Sequence, residues 1–454
     1  MKKIVSFALV ALCVACACIS LLTGCASGGV TDGAFSQGLM AVEQGGLWGY
    51  MDEKGEIVID CKYDVATPFG AGHAAVSEGG RSYLIDYRGT DSGIELASAA
   101  IVISPDMKNI AVQDKNTALF GVIDSAGNRL VPAIYDDIRF TLGGLIVCDM
   151  GDVSALFDSE GKSLYPMGYR IMEAADCVAL YDRYEDVLIV CDVNGRETDR
   201  LEGVTSATLA GGYVKYTQIA SDGSEHSYLC GTAVDIPSSQ AEIEVAYGSV
   251  YVLCYGEGTQ SYAGTDEYQV YTISGLQVTE RYDYVTVHPE IGYIGCFAIG
   301  ESGSLTEGVI TDINAGRAVY RTMTAEEMNS FRLILLDGVS LDYMIEADGA
   351  IYDGDTGEVI IAPGEGESIF GSLAGNIIIE DGNNGFVKVV DLQGKVLFTT
   401  AVGETLTSLT GREDYFFTTD TEGYMAMYNA RTFRRVFGYD MRITSVNPVS
   451  GQTI

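Results

Sequence analysis

One phrase returns along this chain at a fixed spacing, and that repeat limits what the chain can fold into more than any other feature. Its first copy is Trp48-Gly49-Tyr50-Met51-Asp52-Glu53-Lys54-Gly55-Glu56-Ile57-Val58-Ile59, which reads as a strand, a four-residue turn and a second strand. Aspartate at the first turn position caps the turn with its side chain. Glycine at the fourth takes the backbone angles that start the return strand. Asp52 and Gly55 come back as Asp86 and Gly89, an offset of 34. The same pair stands at Asp124 and Gly127, Asp158 and Gly161, and Asp192 and Gly195, again 34 apart. Upstream, the stretch from Phe35 to Val42 returns as Phe69 to Val76 at the same offset of 34. A tyrosine stands eight residues beyond the turn glycine in three copies, at Tyr63, Tyr135 and Tyr169. Independent features holding one spacing predict a repeated supersecondary unit.

A unit of this length has room for three or four short strands. Tyr135 to Pro166 illustrates it, with a strand near Ile138, then Leu145-Ile146-Val147, Ala155-Leu156-Phe157 and Leu164. So small a sheet cannot bury both faces alone and must stack on its neighbours. Looser copies follow at Tyr271 to Gly275, Val309 to Asp312 with Gly316, Ile351 to Asp353 with Gly357, Val389 to Gly394, and from Met427 to Asn429. The expected fold is all-β, a repeat architecture of β-propeller type; the alternative is an open β-solenoid or superhelix of small antiparallel sheets. About ten to twelve units exceed a usual ring, so the number of blades and of rings stays open. The working division is two tandem arrays, 35–240 and 241–454, meeting around Asp235-Ile236-Pro237-Ser238-Ser239. One short helix is expected where Thr324 and Glu327 have capping-box spacing.

These residues resemble the WG repeat family of bacterial proteins. The matching pieces are Phe35, Gly38 and Val42, then Trp48-Gly49-Tyr50, Asp52, Gly55 and Tyr63-Asp64. A second copy runs from Phe120-Gly121-Val122-Ile123-Asp124 through Gly127 and Pro132 to Tyr135-Asp136. Trp48 is the only tryptophan in the chain, so the naming dipeptide survives once. The resemblance implies a repeat scaffold and carries no reaction or ligand with it.

Residues 1–24 read as an export signal, with Lys2 and Lys3 ahead of an uncharged apolar run from Ile4 to Leu22. The run ends in Leu22-Thr23-Gly24-Cys25, which resembles a bacterial lipobox and implies cleavage before Cys25 and a lipid on its sulfur. Residues 25–34 then form a flexible tether, and the expected location is the outer face of the cell membrane, anchored by lipid. The net charge of −36 argues against nucleic acid and against docking of the protein surface on anionic lipid. Of the 11 cysteines, the seven from Cys61 to Cys296 never form C-x-x-C, and strand contexts such as Leu188-Ile189-Val190-Cys191 predict mostly free thiols.

Motifs that carry chemistry do not accumulate. Gly70-Ala71-Gly72-His73-Ala74-Ala75 fits a dinucleotide fingerprint in letters, but it copies Ser36 to Ala41 and lacks the helix such a site needs. Asp353-Gly354-Asp355-Thr356-Gly357-Glu358 has part of a calcium loop, with Gly364 where the final glutamate belongs. His73, His226 and His288 have no partner at metal spacing, and no serine stands in a nucleophile elbow. The expectation is therefore no catalytic residue, no metal and no cofactor. It is a non-catalytic scaffold that binds or organises envelope proteins or glycans. The alternative is an extracytoplasmic polysaccharide hydrolase or lyase using carboxylates in a propeller funnel.

Overall fold

The computed structural model describes residues 34–256, 266–289, 292–299, 305–314, 316–320, 332–335, 343–347, 349–353, 358–408 and 414–447. Among them there is no α-helix, only a short 3-10 turn at Tyr439–Met441. The strands form antiparallel sheets that pair in chain order, and the described residues make eleven units. Unit 1 takes Leu39–Gln44, Leu47–Asp52 and Ile57–Tyr63 as its second, third and fourth strands. Unit 2 has Val65–Ala66, His73–Glu78, Arg81–Asp86 and the first part of Asp91–Ile103. That long strand pairs Arg81–Asp86 through its first residues and Asn109–Asp114 through its last, so it also opens unit 3. Unit 3 continues with Asn109–Asp114, Phe120–Asp124 and Arg129–Tyr135. Ser163–Glu173 is shared in the same way. It ends unit 4, after Asp137–Phe140, Ile146–Met150 and Val153–Phe157. It then begins unit 5, ahead of Val178–Asp182, Val187–Cys191 and Glu197–Glu202. Unit 6 is Val204–Ala210, Tyr213–Ile219, Glu225–Leu229 and Asp235–Pro237. Units 7 to 10 begin at Glu242–Tyr247, Tyr284–His288, Arg332–Leu335 and Glu367–Leu373. Unit 11 is Thr405–Ser408, Tyr415–Thr419, Met425–Asn429 and Arg435–Phe437.

Alternation along each strand puts one set of side chains against the preceding unit and the other against the next. In unit 1, Ala41, Tyr50 and Ile59 pack on Ala74, Val76 and Ile85 of unit 2. Met40, Val42 and Met51 pack the other way, on Phe417 and Met427 of unit 11. Tyr50 is fully buried, meets Phe69 edge-on at 4.8 Å and donates to the Thr67 carbonyl at 2.8 Å. Shared cores of this kind join units 2 to 8 in sequence, among them Leu229 and Val234 of unit 6 with Ile243 and Leu253 of unit 7. They also join units 9 to 11.

The last described strand, Ile443–Asn447, supplies the first strand of unit 1 by pairing antiparallel with Leu39–Gln44. The first and last described strands are thus hydrogen-bonded together, and small sheets stacked side by side and joined in this way make this a β-propeller-type architecture.

The turn glycines explain the period. Gly55, Gly89, Gly127, Gly161 and Gly195 all have φ between 76° and 84°, the left-handed region that side chains disfavour. A Cβ on Gly161 would lie 2.6 Å from the Leu130 carbonyl oxygen in the last strand of unit 3. One on Gly55 would meet the Val436 carbonyl of unit 11 at the same 2.6 Å. Each such turn seats on the fourth strand of the unit before it. The tryptophan–glycine dipeptide has a separate reason. Trp48 pairs with Tyr63 and Tyr50 with Ile59, so one residue, Gly49, faces three bulged residues. A Cβ there would stand 2.5 Å from the Ile59 oxygen; Gly121 lies under the same bulge in unit 3.

Candidate interaction face

In an antiparallel four-strand unit, the first-to-second and third-to-fourth connections leave at one end. The second-to-third connection and the crossing to the next unit leave at the other. The molecule therefore has a turn face, which holds the Asp–Gly turns of units 1 to 5, and a hairpin face. Ala34, just before the second strand of unit 1, and Asn447, at the end of its first strand, both lie at the turn face.

On the turn face every predicted aspartate has the same environment. Asp52 Oδ1 accepts from the backbone N–H groups of Lys54 and Glu56, both at 2.9 Å. Asp86, Asp124, Asp158 and Asp192 each accept from the amides two and four residues on. The Gly55, Gly89, Gly127, Gly161 and Gly195 amides donate to the carbonyls of their respective aspartates. Asp192 is held below the ordinary carboxylate range chiefly by the Arg196 amide, and Asp124 chiefly by the Asn128 side chain. These carboxylates are occupied in building turns.

Both faces expose apolar side chains, Tyr87 at 59% and Leu276 at 68% on the turn face, and others on the hairpin face. The hairpin tips in three successive units expose large apolar side chains: Met150 in unit 4 at 41%, Tyr184 in unit 5 at 76% and Ile219 in unit 6 at 51%. Arg183 lies beside the Tyr184 ring, its carbon 5.2 Å from the centroid. Its guanidinium is pushed up by the Tyr184 hydroxyl first and then by the Asp152 charge of the neighbouring tip. Exposed Asp152, Glu185 and Asp186 surround the pair. Where units 11 and 1 meet, the same face has a hollow of about 610 Å³ lined by Glu43, Gln44, Tyr424, Arg442 and Thr444.

Unit 6 adds a hydrogen-bonded line that sequence reading missed. His226 Nδ1 lies 2.5 Å from Asp235 Oδ1, and its Nε2 lies 2.9 Å from Ser224 Oγ. Ser224 Oγ also donates to Asp222. A serine, a histidine and an aspartate in line invite comparison with a nucleophilic triad. Here a second carboxylate competes for the hydroxyl proton, and an alkoxide formed beside Asp222 would be repelled. The line acts as a clasp tying the hairpin tip to the fourth strand. Its sequence signal is Ser224 and His226 two apart, hence on one strand face, with Asp235 on the next strand. Tyr228 stacks on Tyr216 at 5.1 Å beside it.

The other expected features are placed as follows. Tyr63 and Tyr135 are buried between units, and Tyr169 is half-buried against Tyr165. His73 is buried in unit 2 with neither ring nitrogen hydrogen-bonded. The fingerprint-like Gly70 to Ala75 runs through a tight turn into strand His73–Glu78. All seven cysteines from Cys61 to Cys296 are free thiols, and burial pushes Cys148 and Cys296 up to about 12. Among the described residues no group of three His, Cys, Asp or Glu side chains is arranged to hold a metal ion. Leu22, Thr23, Gly24 and Cys25, the capping-box pair Thr324 and Glu327, and Gly354 to Gly357 lie outside the described residues.

The sequence profile of the WG-containing repeat matches residues 48–81. No curated protein matches the chain. Among solved structures, apo AztD from Citrobacter koseri is 11% identical, with a TM-score of 0.29 over 91% of this chain and 95% of its own. BamB from Moraxella catarrhalis is 12% identical, with a TM-score of 0.23 over 88% and 94%. A eukaryotic initiation factor is 9% identical, with a TM-score of 0.34 over 80% and 95%. Likenesses at this level carry no functional argument.

Proposed function

We propose that this chain, which matches the WG-containing repeat over residues 48–81, is a non-catalytic scaffold tethered by lipid at the outer face of the cell membrane. There it binds or organises envelope proteins or glycans. The observation that carries this reading is the polarity of the molecule. Both ends of the described chain, Ala34 and Asn447, lie on the turn face, whose Asp–Gly aspartates are occupied by backbone amides; the tips that carry Met150, Tyr184 and Ile219 stand on the opposite face, while Tyr87 and Leu276 are exposed on the turn face itself. A tether leaving the turn face directs the hairpin face away from the bilayer. The ten residues from Cys25 to Ala34 reach at most about 30–35 Å, which keeps the body close to the membrane.

Two measurements test it. Fatty-acid labelling should mark the wild-type chain and be lost in Cys25→Ser, while the body keeps its β circular-dichroism spectrum. Label that persists in the variant refutes the anchor. Crosslinking in intact cells should give discrete, saturable adducts through the hairpin face; their absence would count against a scaffold.

A further inference from the structure

We infer that the hairpin tips of units 4 to 6 form one docking surface for a basic protein segment carrying apolar side chains. This rests on the scaffold reading and names the chemistry of its partner. Met150, Tyr184 and Ile219 occupy equivalent hairpins on three consecutive units. Sheets stacked face to face lie about 10 Å apart, so the three tips span about 20 Å, the length of a short helix or a short extended segment. Their exposures of 41%, 76% and 51% put all three side chains in solvent, at the same end of consecutive units.

Their surroundings decide the class of partner. Asp152, Glu185, Asp186 and Asp222 stand on the tips, where Arg183 is the one cation; Arg170, across from Tyr181, and Arg139, paired with Asp149, stand on the strands below. Asp222 is occupied by Ser224, but Asp152, Glu185 and Asp186 face water. An apolar centre with an acidic rim complements lysine or arginine around leucine-like side chains, and repels acidic glycans and nucleic acid. Tyr184 is the anchor by size and rigidity, the kind of residue that dominates binding when it is desolvated. The clasp from Ser224 through His226 to Asp235 holds the third tip in shape. A neutral glycan would use the tyrosine but gain nothing from the carboxylates.

The test uses the full-length protein in nanodiscs of neutral lipid, with empty discs as the blank. Two fluorescent 14-residue peptides of equal positive charge serve as probes, one of lysine and leucine and one of lysine and serine. Anisotropy should show saturable binding of the leucine peptide at least tenfold tighter than the serine peptide. The variant M150S/Y184S/I219S should lose that tenfold, whereas the turn-face control Y87S/L276S should keep it. Equal binding of both peptides, or equal effects of the two variants, overturns the proposal. So does binding of chitohexaose that the triple variant abolishes, since the face would then read sugar. Lipid labelling of Cys25 is independent of every one of these results, so failure of the docking surface and failure of the anchor are distinguishable.

Discussion

At the scale of single residues, two glycines with the same backbone separate the two things a turn glycine does. Gly161 and Gly423 both lie in the left-handed region, at φ 81° and 88°. A Cβ on Gly423 would meet nothing within 4 Å, whereas one on Gly161 would strike the Leu130 backbone at 2.6 Å. Gly423→Ala should therefore cost only the conformational penalty, about 1 kcal/mol. Gly161→Ala should cost roughly 1–3 kcal/mol more, because unit 3 must yield or the turn must lift. Chemical denaturation of the two variants measures the difference, and equal losses would remove the seating of one unit on the next. The aspartates give a pH signature. Asp124 and Asp192 are held below their ordinary value of 3.8, chiefly by the Asn128 side chain and the Arg196 amide respectively. A depressed folded pKa contributes stability that is present above the unfolded value and lost as pH falls through the folded one. The double variant D124N/D192N should thus be less stable than wild type at pH 5. The gap should close as the pH is taken well below 3.8, which urea midpoints at each pH will report.

At the scale of the element, the strand–turn–strand phrase was readable because its determinants are local. An aspartate that captures two amides and a glycine that accepts positive φ act within five residues, so Asp52, Asp86, Asp124, Asp158 and Asp192 announce themselves without knowledge of the fold. The glycine of the tryptophan–glycine pair is different. Gly49 is required by a bulge ten or more residues further on, where Asp60, Cys61 and Lys62 cross above it. Nothing within the dipeptide says so. Gly49→Ala places a Cβ 2.5–2.8 Å from backbone atoms that cannot rotate away, and should destabilise by about 1–3 kcal/mol although its φ is not positive. A melting temperature unchanged by that substitution would mean that the bulge is free to lift. The hairpin tips were illegible for a related reason. Met150 and Ile219 continue the alternation of their strands, and only the position at which the chain turns leaves them outside. The clasp in unit 6 depends on cross-strand register that pairs Gln218 with His226 and Tyr228 with Asp235, which a single sequence does not display.

At the scale of the whole molecule, the deciding feature is the strand with no repeat phrase at all. Ile443–Asn447 has no Asp–Gly turn and no tyrosine marker, yet it completes unit 1 and joins the array end to end. Ile443 is fully buried among Met40, Val42, Phe417 and Met427, side chains from both ends of the sequence. Without this strand, Leu39–Gln44 would become a bare edge, open to pairing with any other strand, and units 1 and 11 would lose the core they share. Replacing Ile443 by aspartate puts an unpaired charge in that core, where burial costs several kcal/mol. Ending the chain at Arg442 removes the strand outright. Both changes should lower the melting temperature, broaden the transition as the array loses its closing contact, and yield dimers or larger species that pair through the freed edge. Calorimetry reads the first two effects and light scattering after gel filtration the third. If both variants stay monomeric with a wild-type transition, the two ends do not hold each other, and the stack stands without closure.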